Sequence, residues 1–152
     1  MMGVCALNWY DEADVCVLNT ARSQFVNIIS FEQLFDSAKR RIIGCLNDLA
    51  QLDRDWDGYG AGPVSELSIT QCKKGLNYIH PILYSGLLIA PNEWGGVQMQ
   101  YNTSNGTICC DFGDSSMSYY VKRNNGEVEW YSFKKYSKKN FFELSDVLFK
   151  LS

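Results

Sequence analysis

Asp55-Trp56-Asp57-Gly58-Tyr59-Gly60-Ala61-Gly62-Pro63-Val64-Ser65 separates two helical patterns, and the fold is read outward from it. Trp56 and Tyr59 each carry an apolar ring body and one polar tip. Gly58, Gly60 and Gly62 recur at every second position, where glycine allows positive φ or a close backbone approach. Pro63 then fixes φ, and Ser65 is placed to accept a hydrogen bond from the first amides of a following helix. The stretch predicts a tight, aromatic-anchored loop that reverses the chain. Its rings either plug the end of a core or furnish a recognition surface.

Upstream, Ser30-Phe31-Glu32-Gln33 reads as a capping box. Phe31, Leu34, Phe35, Ala38, Ile42, Cys45, Leu46 and Leu49 follow at helical spacing, so a helix is predicted to end near Leu52. Downstream, Ile69, Cys72, Leu76 and Ile79 form the stripe of a second helix, which His80-Pro81 should end because the residue before proline leaves helical geometry. Ile82 to Ala90 is apolar, is broken by Ser85-Gly86, and links the helices to a sheet, to which it could contribute a strand. Pro91-Asn92-Glu93-Trp94-Gly95-Gly96 is a second aromatic-glycine turn.

Four alternating segments come next. Their inward positions read as Val97, Met99 and Tyr101, then Ile108, Cys110 and Phe112, then Met117, Tyr119 and Val121, and finally Val128, Trp130 and Ser132. Short turns join them, the last being Asn124-Asn125-Gly126, a strong hairpin signal. The opposite face then carries Gln98, Gln100, Thr107, Asp111, Ser118, Tyr120, Lys122, Glu127, Glu129, Tyr131 and Phe133. Phe141, Leu144, Leu148 and Leu151 suit a C-terminal helix that opens at Asn140-Phe141-Phe142-Glu143. Ahead of everything, Val4–Leu7 and Val15–Leu18 flank an acidic connection with Trp9 and Tyr10, which predicts a small hairpin. The expectation is one α+β domain over residues 1–152 in two layers: an N-terminal hairpin, two helices, a four-stranded antiparallel meander and a C-terminal helix.

Composition narrows the function. The chain has 152 residues, 46% hydrophobic and 20% charged, enough to bury a core without disulfide or metal staples. A net charge of −3 argues against whole-protein electrostatic affinity for nucleic acid. The charge is split: from Lys122 onward there are seven basic and four acidic residues, against seven basic and thirteen acidic before it. None of the 6 cysteines lies in a C-x-x-C arrangement, so zinc and redox motifs are excluded and no metal or cofactor is expected. With no basic-then-apolar leader and no run long enough to span a membrane, a cytoplasmic protein is expected.

Asp53-Arg54-Asp55-Trp56-Asp57-Gly58 spells the opening of an EF-hand calcium loop, but the twelfth position, which needs a bidentate Glu, is Val64. There is no P-loop, no G-x-G-x-x-G after a strand, no H-E-x-x-H and no G-x-S-x-G. His80 is the only histidine, and at a helix end it reads as a cap or surface residue rather than a base. No catalytic residue is assigned. Tyr120, Lys122, Tyr131, Lys134 and Lys135 could stack on and neutralise single-stranded nucleic acid. Glu127 and Glu129 on the same face would repel phosphate, so nucleic acid is disfavoured.

The Trp-Asp-Gly-Tyr-Gly-Ala run followed by Pro-Val-Ser resembles a motif of small bacterial and phage proteins that have no agreed activity. In those proteins a leucine-rich helix precedes the motif and a second helix follows it. A later strand opens with a glycine-hydrophobic pattern, which Glu93-Trp94-Gly95-Gly96-Val97-Gln98-Met99 resembles. The resemblance covers Leu46 to Tyr101. Some members lie near toxin–antitoxin or mobile-element genes, which implies an interaction protein. The candidate binding residues are Trp56, Asp57, Tyr59, Trp94, Tyr120 and Tyr131. The expected function is a non-catalytic cytosolic protein that binds another protein, of the immunity, antitoxin or anti-defence inhibitor kind. The alternative is a module that holds a nucleotide or other small ligand between Trp56, Tyr59 and Trp94. A third reading is a hydrolase using the loop aspartates.

Overall fold

The computed structural model describes residues 31–152; the predicted N-terminal hairpin and the Ser30 end of the capping box lie outside the described residues. Helix α1, Phe31–Leu49, buries Ala38, Ile42, Cys45, Leu46 and Leu49, the later part of the stripe that its spacing predicts, whereas Leu34 in the first turns is 44% exposed. It stops short of Leu52 because the chain tightens there: Gln51 N–H donates to the Asp48 carbonyl (3.0 Å) and Leu52 N–H to that of Leu49 (3.2 Å), both three residues back.

Helix α2, Glu66–Leu76, starts where Ser65 predicts, with the Ser68 N–H 3.5 Å from the Ser65 hydroxyl. It ends at Leu76 rather than Ile79, where Asn77 and Tyr78 donate to the carbonyls of Lys74 and Gly75. His80-Pro81 therefore does not close α2. It opens a 3-10 helix, Pro81–Gly86, with the His80 ring Nδ1 accepting from the Ile82 N–H at 3.4 Å. Helix α3, Lys138–Leu151, is capped by Ser137, whose hydroxyl accepts from the Asn140 N–H at 3.2 Å.

Among the described residues the sheet has five antiparallel strands in sequence order, one more than the predicted meander: β1 Leu87–Pro91, β2 Val97–Thr103, β3 Gly106–Phe112, β4 Ser116–Arg123 and β5 Val128–Lys135. The additional strand is β1. Its buried positions Leu87 and Ile89 alternate with Leu88 and Ala90, which are apolar as well, so the segment shows no period of two. The three α-helices of the described residues pack on one sheet face. Ile42, Leu46, Leu76, Leu83 and Leu144 meet Met99, Ile108, Cys110, Phe112, Met117 and Tyr119 in one core.

The predicted faces of β5 are reversed. Glu129 lies opposite Val121, Trp130 opposite Tyr120 and Tyr131 opposite Tyr119. Val121 and Tyr119 are buried, so Glu129 and Tyr131 lie on the helix side and Trp130 on the open side. The cause is the turn. Arg123 N–H donates to the Glu127 carbonyl (2.9 Å) around a three-residue loop whose last member, Gly126, sits at φ 89°. Loop length sets the register whatever the side chains are, and a one-residue slip turns every one of them over. Hydrophobicity is a poor label of face on this terminal strand, since Trp130 is 71% exposed. A bulge then places Lys134 opposite Met117, and Phe133 takes φ 52° with its N–H on the Ser118 hydroxyl at 3.0 Å.

Candidate functional site

Two loops at one end of the sheet hold most of the predicted site. In the first, the carboxylate of Asp57 accepts from the amides of Tyr59 (2.8 Å) and Ala61 (3.1 Å), and that of Asp55 from the amide of Gly60 (2.6 Å). Asp55 N–H in turn donates to the Ala61 carbonyl at 2.7 Å. These are Asx-type bonds that close a loop on itself. Asp55 adopts φ 65°, Gly58 75° and Gly60 93°, so two of the three glycines answer a left-handed backbone. Trp56 is half-buried, and its indole N–H donates to the Gly62 carbonyl at 3.1 Å, pinning the far side of the loop.

The amides of Tyr59 and Ala61 hold the Asp57 carboxyl below its ordinary value of 3.8. A carboxyl lowered by folding contributes its stabilisation above that value and loses it as pH falls through the lower, folded one. Acidification through that lowered value should therefore release the amides of Tyr59 and Ala61, and Asp57→Ala should release them already at neutral pH. Amide hydrogen exchange at those two positions measures both effects. Unchanged protection in Asp57→Ala would show that the glycines alone hold the loop.

The second loop repeats the device. Asn92 Oδ1 accepts from the amides of Trp94 (3.1 Å) and Gly96 (2.7 Å), and Asn92 Nδ2–H donates to Asp111 at 3.3 Å. The loops are joined. Ser65 N–H donates to the Gly95 carbonyl at 2.8 Å, and the Ser65 hydroxyl donates to Asp114. Gly95, at φ 82°, lies so near Pro63 that a Cβ there would stand 3.0 Å from the Pro63 carbonyl oxygen. From this frame Tyr59 and Trp94 project 94% and 87% exposed. Asp53, Glu66, Glu93 and Asp114 are exposed on the same two loops and their neighbours, making this end acidic.

The remaining predicted residues are on the sheet, and they separate. Tyr120 faces out and packs against Trp130 with ring centroids 5.0 Å apart. Tyr131 is turned to the helices: it stacks on Tyr119 at 4.5 Å, donates its hydroxyl to Glu129 (3.0 Å) and lies under the Lys134 ammonium. It does not belong to an outward patch with Tyr120. Trp130 takes that place, and Phe133, at the bulge three residues further along β5, is 81% exposed. The signal that could have found Trp130 is the length of the Asn124–Gly126 loop.

No protein-family model, curated protein or solved structure matches the chain.

Proposed function

We propose that the protein is a non-catalytic protein-binding protein, of the immunity, antitoxin or anti-defence inhibitor kind, acting in the cytoplasm through Tyr59 and Trp94. The supporting observation is that both rings stand almost wholly in solvent on loops whose backbones are closed by their own hydrogen bonds. Aromatic anchors of this type carry most of the energy of protein interfaces. Rigid loops reduce the ordering cost of using them. A small-ligand pocket among Trp56, Tyr59 and Trp94 is less well supported, since Trp56 spends its N–H on the loop and the other two rings line no enclosure. Among the described residues, no helix is long and apolar enough to cross a membrane.

Affinity capture from host lysate with tagged protein tests the proposal. One stoichiometric protein should be retained by the wild type and lost by the Tyr59→Ala/Trp94→Ala double variant at unchanged melting temperature. Each single substitution should weaken binding by about 30-fold, the size of an interface anchor. A co-purifying nucleotide with no protein partner would sink the proposal.

A further inference from the structure

We infer that the open face of β4 and β5 is a platform for single-stranded nucleic acid, built on Trp130, Tyr120 and Phe133 and flanked by Lys122 and Lys135. This goes beyond the protein-binding reading and uses different residues.

The register of β5 carries the inference. It takes Glu127 and Glu129 off the face on which they would repel phosphate. Glu129 faces the helices opposite Val121 and is paired there with Arg123 at 3.1 Å. Glu127, two residues earlier, alternates to the same side. Lys134 also faces inward and is paired with Glu143 at 3.4 Å. The outward charges of the two strands are then Lys122, opposite Val128, and Lys135, opposite Ser116, and both are cationic and exposed.

Between the two lysines lie the rings. Trp130 is 71% and Phe133 81% exposed, and Tyr120 braces Trp130 from the adjacent strand. Phe133 takes φ 52° with its ring left to solvent, a backbone state that costs a non-glycine residue free energy and that recurs at functional surfaces. Bases stack on such rings without regard to sequence, and flanking cations neutralise the phosphates. Neighbouring strands add polar side chains to this face: Gln100, opposite Cys109 in the row that continues to Tyr120 and Trp130, and Thr107, opposite Asn102, both held in place by donating to the Asn102 side-chain oxygen at 2.9 and 3.0 Å. The one outward carboxylate on β3, Asp111, is half-buried and accepts from Asn92 and Gln98 at 3.3 Å each.

A single strand fits this face better than a duplex. Only unstacked bases can lie on rings, and two lysines neutralise few phosphates. The footprint is roughly two or three bases, as on other exposed sheets that stack nucleotides. An acidic protein is the competing occupant, and the test separates the two.

The experiment is fluorescence anisotropy of a labelled oligothymidylate of about a dozen nucleotides, with the full chain at about 50 mM salt. Saturable binding is expected, tighter than to a duplex of equal length. Trp130→Ala and Phe133→Gly should each weaken it roughly 10-fold. Glycine accepts the positive φ, so Phe133→Gly removes the ring without stressing the strand. Lys122→Gln/Lys135→Gln should flatten the plot of log K against log salt by about 0.7 per lysine. The Tyr59→Ala/Trp94→Ala variant should bind the oligonucleotide as the wild type does, which keeps this inference separable from the protein-binding proposal. Absent binding, equal affinity for duplex, or binding insensitive to Trp130 and Phe133 overturns the inference. So does displacement by polyglutamate as effective as by unlabelled oligothymidylate, which would assign the face to an acidic protein.

Discussion

Gly106→Ala should lower the melting temperature by roughly 10 °C, corresponding to about 4 kcal/mol for a chain of this size. Gly106 opens β3 immediately after a two-residue turn, paired with Thr103 on one side and Arg123 on the other. It is buried at φ 154°. A Cβ there would run into the Lys122 carbonyl oxygen and come within 3.1 Å of the Arg123 Cα. Both obstacles are main chain held in the β3–β4 ladder, so neither can swing aside as a side-chain tip would. Overpacking costs about 1–3 kcal/mol, and the unfavourable φ adds a similar amount. The damage should spread, because the same turn closes α3: the Thr103 hydroxyl (3.0 Å) and the Asn105 side-chain Nδ2–H (3.1 Å) both donate to the Leu151 carbonyl. Gly126→Ala is the control. Gly126 also has positive φ, at 89°, but no atom lies within 4 Å of its would-be Cβ, so about 1 kcal/mol is expected. Thermal unfolding by circular dichroism compares the two, and equal losses would mean that φ alone, not crowding, sets the cost.

How far the fold could be read from the chain depended on whether local chemistry and burial agreed. In α1 they do: the apolar stripe from Ala38 to Leu49 is the buried stripe. Ser65 likewise announced α2, because a hydroxyl before a run of helix formers has a local use. The first strand was ambiguous for lack of a polar outward position. The last is deceptive because its faces are set by a turn, while its apolar residues are not all required by a core. The site divides along the same line. Trp56 and Tyr59 look alike in sequence, three residues apart in one glycine-spaced run. Only the bond from the Trp56 indole to Gly62 decides that one ring anchors the loop and the other leaves it. Asp57, grouped with the rings as a contact residue, serves the loop's own amides. Tyr120 and Tyr131 were grouped by a parity that the Asn124–Gly126 loop reverses. Nothing in the sequence singled out Ser68, a serine on an apolar helix face, although it ties α2 to the strand that leaves the Trp94 turn.

Ser68→Ala should destabilise the protein by about 3 kcal/mol, an unusually large effect for deleting one oxygen. Ser68 is 0% exposed. Its hydroxyl donates to the Phe112 carbonyl and accepts from the Val97 N–H at 2.9 Å. Val97 and Phe112 face each other at the end of the β2–β3 ladder, so the hydroxyl bridges two main-chain groups that belong to neighbouring strands. Alanine would strand both in the core, at about 1–3 kcal/mol for each. The consequence for the site follows from connectivity. Val97 directly follows the Asn92–Gly96 turn, and Ser65, one turn of α2 earlier, holds the Gly95 carbonyl. The two serines thus moor the Trp94 loop to the first turn of α2, whereas the Tyr59 loop is closed by its own aspartates. Hydrogen exchange in Ser68→Ala should accordingly accelerate at Gly96 and Val97 and stay unchanged at Tyr59 and Ala61. Partner binding should weaken although no contact ring has been removed, and Trp94→Ala should add little once Ser68 is gone. A loss under about 1 kcal/mol, or uniform acceleration across both loops, would mean that Ser68 fills space rather than bridging the strands.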